Sequence, residues 1–148
     1  MEDKMDKIEF EILGDPKSQK RHRSVRTGSG IRSYDPSADD KGNFIAQLIA
    51  QIPTGFKPIT EPIAVYVCFD MKRPQSHFRA GKNAGILKDN APTVHTKKPD
   101  IDNLCKLIMD SGNGILWRDD ALIYSLAVRK QYGDRPKTKI IIFQGDRY

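Results

Sequence analysis

The sequence predicts a single α+β domain over residues 1–148, with a mixed β-sheet of about four strands and two main helices. Three observations point there. Four segments carry the alternating or β-branched apolar pattern of strands, and two carry apolar residues at helical spacing. No internal repeat, low-complexity tail or linker separates them. Hydrophobic residues make up 38% of the 148, which at this length supports a real core and argues against disorder.

The elements follow in order. Residues 8–13 alternate Ile8, Phe10 and Ile12 with Glu9 and Glu11, a half-buried strand that ends at Gly14-Asp15-Pro16. Residues 17–32 read as a basic loop containing Gly28-Ser29-Gly30, with a short second strand at 31–34. Pro36-Ser37 opens a helix in which Phe44, Ile45, Leu48, Ile49 and Ile52 recur at helical spacing, and Pro53 and Gly55 close it. Residues 63–69 are apolar and β-branched, a buried strand. Residues 71–98, rich in Pro, Gly and Asn, form a loop longer than structureless connectors usually are, which is itself a pointer to function. Ile101, Leu104, Cys105, Ile108 and Met109 mark the second main helix, stopped by Gly112 and Gly114. Residues 123–130 and 138–143 are two more strands, and Tyr132-Gly133-Asp134 between them suggests a hairpin.

The chain has 25 Lys+Arg against 19 Asp+Glu, a formal +6, but the distribution says more than the total. Residues 17–32 hold Lys17, Lys20, Arg21, Arg23, Arg26 and Arg32 with no acid, a local +6. Residues 71–98 hold seven basic residues against Asp89 alone, again +6, so the remainder carries −6. Two solvated basic loops are the plain interpretation of this pattern. On a net-acidic body, however, they suit a polyanion track, because phosphate neutralisation is the sequence-independent source of nucleic-acid affinity. No run approaches the roughly 18 apolar residues of a membrane span, and Met1-Glu2-Asp3-Lys4 does not lead into a signal-type segment. Cys68 and Cys105 lack CxxC spacing, which disfavours a disulfide framework or zinc site and fits a cytoplasmic setting.

The chemistry concentrates in residues 97–120. Pro99 and Asp100 make a good helix start, and the apolar residues that follow fill one face. Asp102, Lys106 and Asp110 then share the opposite face at i, i+4 and i+8. If Asp119-Asp120 lies in the turn feeding the next strand, one of its carboxylates folds back toward the same point. Clustered carboxylates repel one another unless a hard cation sits among them, so the pattern suits Mg²⁺ with phosphate and water completing its shell. Each feature has a plainer role too: Asp100 as a helix cap, Asp102 and Lys106 as an i, i+4 pair, Asp119-Asp120 as a polar turn. His22, His77 and His95 have no mutual ligand spacing and read as solvated or phosphate-contacting side chains. Ser18, Ser24 and Ser33 have no orienting base, and Gly28-Ser29-Gly30 is too short for a phosphate cradle.

Lys98-Pro99-Asp100-Ile101-Asp102-Asn103-Leu104, followed by Lys106, Asp110, Asn113-Gly114, Trp117, Asp119-Asp120 and Ile123, resembles the signature of the RusA-type Holliday junction resolvases. Gly14-Asp15-Pro16 with Lys20, Arg21 and Arg23 is similar to that family's first strand exit and basic loop, and Lys130 and Tyr132 match its penultimate strand. The resemblance covers about residues 8–143. It implies a Mg²⁺-dependent homodimer, with no organic cofactor, that cuts four-way junction DNA by paired symmetric nicks in recombination and repair. By motif position it implies Asp100, Asp102 and Asp120 as metal-binding carboxylates and Lys106 as the essential lysine, with Asp119 a neighbour. Lys17, Lys20, Arg21, Arg23, Lys97 and Lys98 would then hold DNA. The sequence departs from the family at Asp110-Ser111-Gly112-Asn113-Gly114, which predicts a looser helix end, and the 71–97 loop is long for the family.

Two other classes compete. One is a non-catalytic DNA-binding protein whose acids are structural. The other is a restriction-type duplex nuclease, whose opening Pro99-Asp100 matches but whose Asp-x-Lys spacing does not, since Asp102 precedes Lys106 by four positions.

Overall fold

The structure, a computed structural model, describes residues 7–21 and 23–146. The readings at Met1-Glu2-Asp3-Lys4 and at His22 lie outside the described residues. Strands β1 (Lys7–Leu13), β4 (Ile63–Lys72), β5 (Ile123–Gly133) and β6 (Lys137–Gln144) form one sheet, and β2 (Arg23–Thr27) and β3 (Gly30–Tyr34) form a separate two-stranded one. Helices α1 (Ala38–Gln51) and α2 (Ile101–Gly112) complete the α+β domain, with three short 3₁₀ turns at Gln75–His77, Gly81–Asn83 and Asp120–Leu122.

The large sheet runs β1-β6-β4-β5, with β4 and β5 parallel and β6 antiparallel to both of its neighbours. Tyr132-Gly133-Asp134 is therefore not the turn of a hairpin: β4 lies between β5 and β6 and pairs with both. The reason lies in the composition of β4. Ile63, Val65, Val67, Phe69 and Met71 are buried on one face, while Tyr66, Cys68 and Asp70 are half-buried on the other, so this strand takes the centre of the sheet. The parallel β4–β5 pair requires a crossover, which α2 supplies.

Both helices cover the same face. Phe44 and Leu48 from α1 join Leu104, Leu107 and Ile108 from α2 over Phe10, Ile12, Ile140 and Ile142 of the sheet. Ile49, part of the expected apolar stripe, faces solvent instead. The helix end at Gly112 is not loose. A Cβ there would stand 2.5 Å from Cζ2 of Trp117, so the bare glycine lets the fully buried indole pack against the backbone. The indole Nε1–H donates to Asn113 Oδ1 at 3.0 Å. Cys68 and Cys105 are free thiols, and burial pushes the Cys105 thiol up to about 11. No described helix is long and apolar enough to cross a membrane.

The basic segment 17–32 is only partly a loop. Residues 23–34 form the β2–β3 hairpin, with Thr27 opposite Gly30 at its turn. The expected 71–98 loop begins two residues later, because β4 continues through Met71 and Lys72; residues 73–98 have no long element, but they are not structureless. Phe78 bridges to Leu87, and Val94 bridges to Gln131, adding a short stretch along the outer edge of β5.

Candidate functional site

The solvent face of α2 is arranged as its spacing predicts. Leu104, Cys105, Leu107 and Ile108 are buried, while Asp102 and Lys106 are exposed and Asp110 half-buried. Asp102, Lys106, Asp110 and Asp120 line one cleft of about 390 Å³ between α2 and the helix-side residues Leu126 and Val128 of β5. Among the described residues, Asp102 and Lys106 form no ion pair, so their spacing does not serve as an internal helix bridge.

Asp100 occupies the N-cap position of α2, yet its carboxylate makes no capping hydrogen bond. It accepts from Lys98 Nζ at 2.9 Å, in a pair whose side chains are 49% and 86% exposed. The Lys98 ammonium is held above the usual lysine range, first by its hydrogen bond and attraction to Asp100 and then by the field of Asp102. A cationic group is thus already drawn to these two carboxylates, and an exposed pair of this kind exchanges readily.

Asp119 and Asp120 have different surroundings. The Asp119 carboxylate accepts from the Ala121 N–H at 3.0 Å and caps the 3₁₀ turn, and that bond holds its carboxyl below the usual range. Asp120 is pushed up, first by its hydrogen bond with Asp119, then by burial and by the negative charges of Asp119 and Asp110. The expected convergence is partial. Because β5 runs antiparallel to α2, its start lies beside the end of the helix, and Asp120 meets Asp110 rather than Asp100 and Asp102. Eight residues of helix separate Asp102 from Asp110, about 12 Å at 1.5 Å per residue. Among the described residues, no three His, Cys, Asp or Glu side chains stand close enough to share one cation.

A second cleft, of about 490 Å³, adjoins the first and is lined by His95, Lys97, Asp100, Asp102 and Lys130 among others. Lys130, on β5, donates from Nζ to the Lys97 carbonyl at 2.7 Å and to the Pro99 carbonyl at 2.8 Å. It thereby ties down the backbone that delivers Asp100. Sequence reasoning matched Lys130 to a strand but missed this role, because its acceptors are backbone oxygens more than thirty positions upstream and leave no side-chain pattern.

His95 is buried and His77 half-buried, so neither is the freely solvated side chain expected. Both pack edge-on against Tyr132, at ring centroid distances of 4.7 and 4.9 Å, and Arg73 lies over the same ring at 5.4 Å. The His95 N–H donates to the Lys130 carbonyl and the Tyr132 N–H to the Thr93 carbonyl, which docks the end of the long loop onto β5. Burial lowers both imidazoles below their ordinary range, helped by Arg73 at His77 and by Lys130 at His95.

The basic residues divide between two places. Lys97 and Lys98 flank the carboxylates. Lys17, Lys20 and Arg21 are exposed on the segment after β1, where the Gln19 N–H donates to the Asn103 carbonyl at 3.0 Å and the Lys20 N–H to Ser37 Oγ at 2.7 Å. This segment is thus fastened to the first turn of α2, beside Asp102. Arg23 lies at the base of the β2–β3 hairpin.

Comparison with known proteins adds two findings. Residues 14–143 match the profile of the family described as Endodeoxyribonuclease RusA. The chain is also 30% identical over 147 residues to a Bacillus subtilis (strain 168) protein named Uncharacterized protein YqaN, an alignment that covers 93% of this chain and 96% of that one.

Proposed function

The chain belongs to the RusA endodeoxyribonuclease family, and from that premise we propose that it is a Mg²⁺-dependent nuclease that resolves four-way DNA junctions by paired nicks, acting as a homodimer in recombination and repair. The observation that carries this reading is the placement of Asp100 and Asp102. They stand at the exposed start of α2, neither used as cap nor as helix bridge, with a lysine ammonium drawn to both and basic segments on either side.

Asp100 and Asp102 would hold the cation, with Asp120, which stands apart from them within one chain, brought to it by closure of the cleft or from the partner across the dimer; oxygen donors of this kind fit a hard divalent ion. When bound, such an ion supplies activation of water and charge stabilisation at the phosphate. Lys106, exposed in the same cleft, neutralises the scissile phosphate. Lys97, Lys98, Lys17, Lys20, Arg21 and Arg23 hold the backbones of the arms, which suits a substrate recognised by shape rather than by base sequence. Two symmetric cuts require two sites, and a twofold dimer provides them.

The test is a synthetic four-way junction incubated with Mg²⁺ or with EDTA. Asp100→Asn is expected to bind the junction and fail to nick it; unchanged nicking by that variant would refute the assignment. Because Asp120 lies apart from Asp100 and Asp102 within one chain, mixing Asp100→Asn with Asp120→Asn protein also asks whether the carboxylates act within a chain or between two. Recovered nicking means that they act between chains.

A further inference from the structure

The β2–β3 hairpin is the least explained element of the fold. All ten of its strand residues are exposed, so neither face is covered by the body of the protein. Such a two-stranded ribbon is marginal in isolation. Its turn is nonetheless fixed, with the Thr27 hydroxyl donating to the Gly30 carbonyl at 3.0 Å and Gly30 at φ 136°, a backbone region that favours glycine.

Its cross-strand pairs follow a pattern. Arg23 faces Tyr34, Arg32 faces Val25 and Arg26 faces Ile31, so each arginine stands opposite an apolar or aromatic residue. Ile31 is 75% exposed, Val25 47% and Tyr34 43%. Partners across an antiparallel ladder point to the same side, and successive pairs alternate sides, so both faces carry mixed cationic and apolar character. No acid occurs between residues 17 and 34, and among the described residues the three arginines form no ion pair. The segment before the hairpin is pinned to α2 through Gln19 and Asn103 and to the residue before α1 through Lys20 and Ser37; a span of four residues keeps the ribbon's base within about 14 Å of the carboxylate end of α2. At about 3.3 Å per residue each strand extends about 16 Å.

We propose that this hairpin enters the crossover of a four-way junction, its arginines on the converging phosphates and Ile31 and Val25 against the faces of bases unstacked there. This rests on the junction-nuclease reading above. Apolar side chains between base steps, flanked by arginines on the backbone, are a general way of stabilising distorted DNA. A second copy of this chain is a poorer occupant, because it is itself net positive and would bring a second basic hairpin.

The experiment uses the whole protein, in EDTA, on an immobile junction carrying 2-aminopurine beside the crossover. Binding is expected to raise its fluorescence severalfold, as unstacking does. The exposed double variant Val25→Ser/Ile31→Ser is expected to return the fluorescence to the level of free junction while weakening binding by about tenfold or less. Replacing Arg23, Arg26 and Arg32 with Gln is expected to reduce the salt slope of binding by about 2–3. Binding by the wild type with unchanged fluorescence, or an equal rise with the double variant, would overturn the hairpin proposal alone. So would a double variant that sediments as a monomer where the wild type is a dimer. Failure of the wild type to bind any junction would overturn the function reading and this inference with it.

Discussion

Replacing Lys130 with Met removes the two hydrogen bonds to the Lys97 and Pro99 carbonyls while keeping most of the aliphatic stem. A hydrogen bond from a charged donor contributes about 1.5–3 kcal/mol. One of these two is open to solvent and the other only partly buried, so solvent competition brings the pair below the roughly 3 kcal/mol of two such bonds at their weakest, to about 2 kcal/mol in all. For a chain of this length that lowers the thermal midpoint by about 4–8 °C. The functional effect is expected to be larger. The clamped backbone ends at Asp100, and a misplacement of about 1 Å in a reacting group costs on the order of 100-fold in rate. Junction affinity in EDTA is expected to change by less than about threefold, because the Lys130 ammonium is spent on carbonyls rather than on phosphate. Lys130→Arg, whose fork can reach two acceptors, is expected to restore nicking to within about tenfold of wild type. The assays are thermal melts, junction binding without metal, and nicking at saturating Mg²⁺. Wild-type nicking by Lys130→Met would refute the clamp, and a loss of binding as large as the loss of nicking would make Lys130 a phosphate contact instead.

Three further outcomes are expected. Asp120→Asn should abolish nicking without lowering the metal-free thermal midpoint, since its raised pKa means that the ionised form opposes folding; Asp119→Ala should lower the midpoint and keep nicking within about tenfold. Gly112→Ala should destabilise the protein by about 1–3 kcal/mol, read by denaturant unfolding, because the new methyl would meet a fully buried indole. Stability should be level above neutral pH and decline as the pH falls below about 6.5, because unfolded histidine takes up protons before the depressed His77 and His95 do. A His77→Gln/His95→Gln variant should flatten that decline, and an unchanged pH profile would show that these two groups do not cause it.

What was legible in the sequence was local. The period of α2 fixed which side chains share its open face, and Asp102, Lys106 and Asp110 do line one cleft. The alternation in β1 and the apolar run in β4 gave two strands of the sheet directly. Strand order was not legible in the same way. The turn-forming residues at the end of β5 are equally consistent with a hairpin, and only the two-sided burial of β4 places that strand between β5 and β6. The β2–β3 hairpin was half hidden because its residues alternate arginine with apolar side chains on both faces, a pattern shaped by something other than a core. Asp120 illustrates the limit most clearly. Its position in sequence made it a partner for Asp100 and Asp102, whereas the antiparallel course of β5 along α2 sets it beside Asp110.

The most direct test of the central claim is simultaneous cleavage of a four-way junction held in a supercoiled plasmid, where paired nicks within one encounter give a linear product and single nicks give an open circle. With Mg²⁺ the wild type is expected to yield linear product, with neither product in EDTA and neither from Asp100→Asn, which still binds. A junction left intact at every Mg²⁺ concentration, or ordinary duplex cut as fast as the junction, would contradict it.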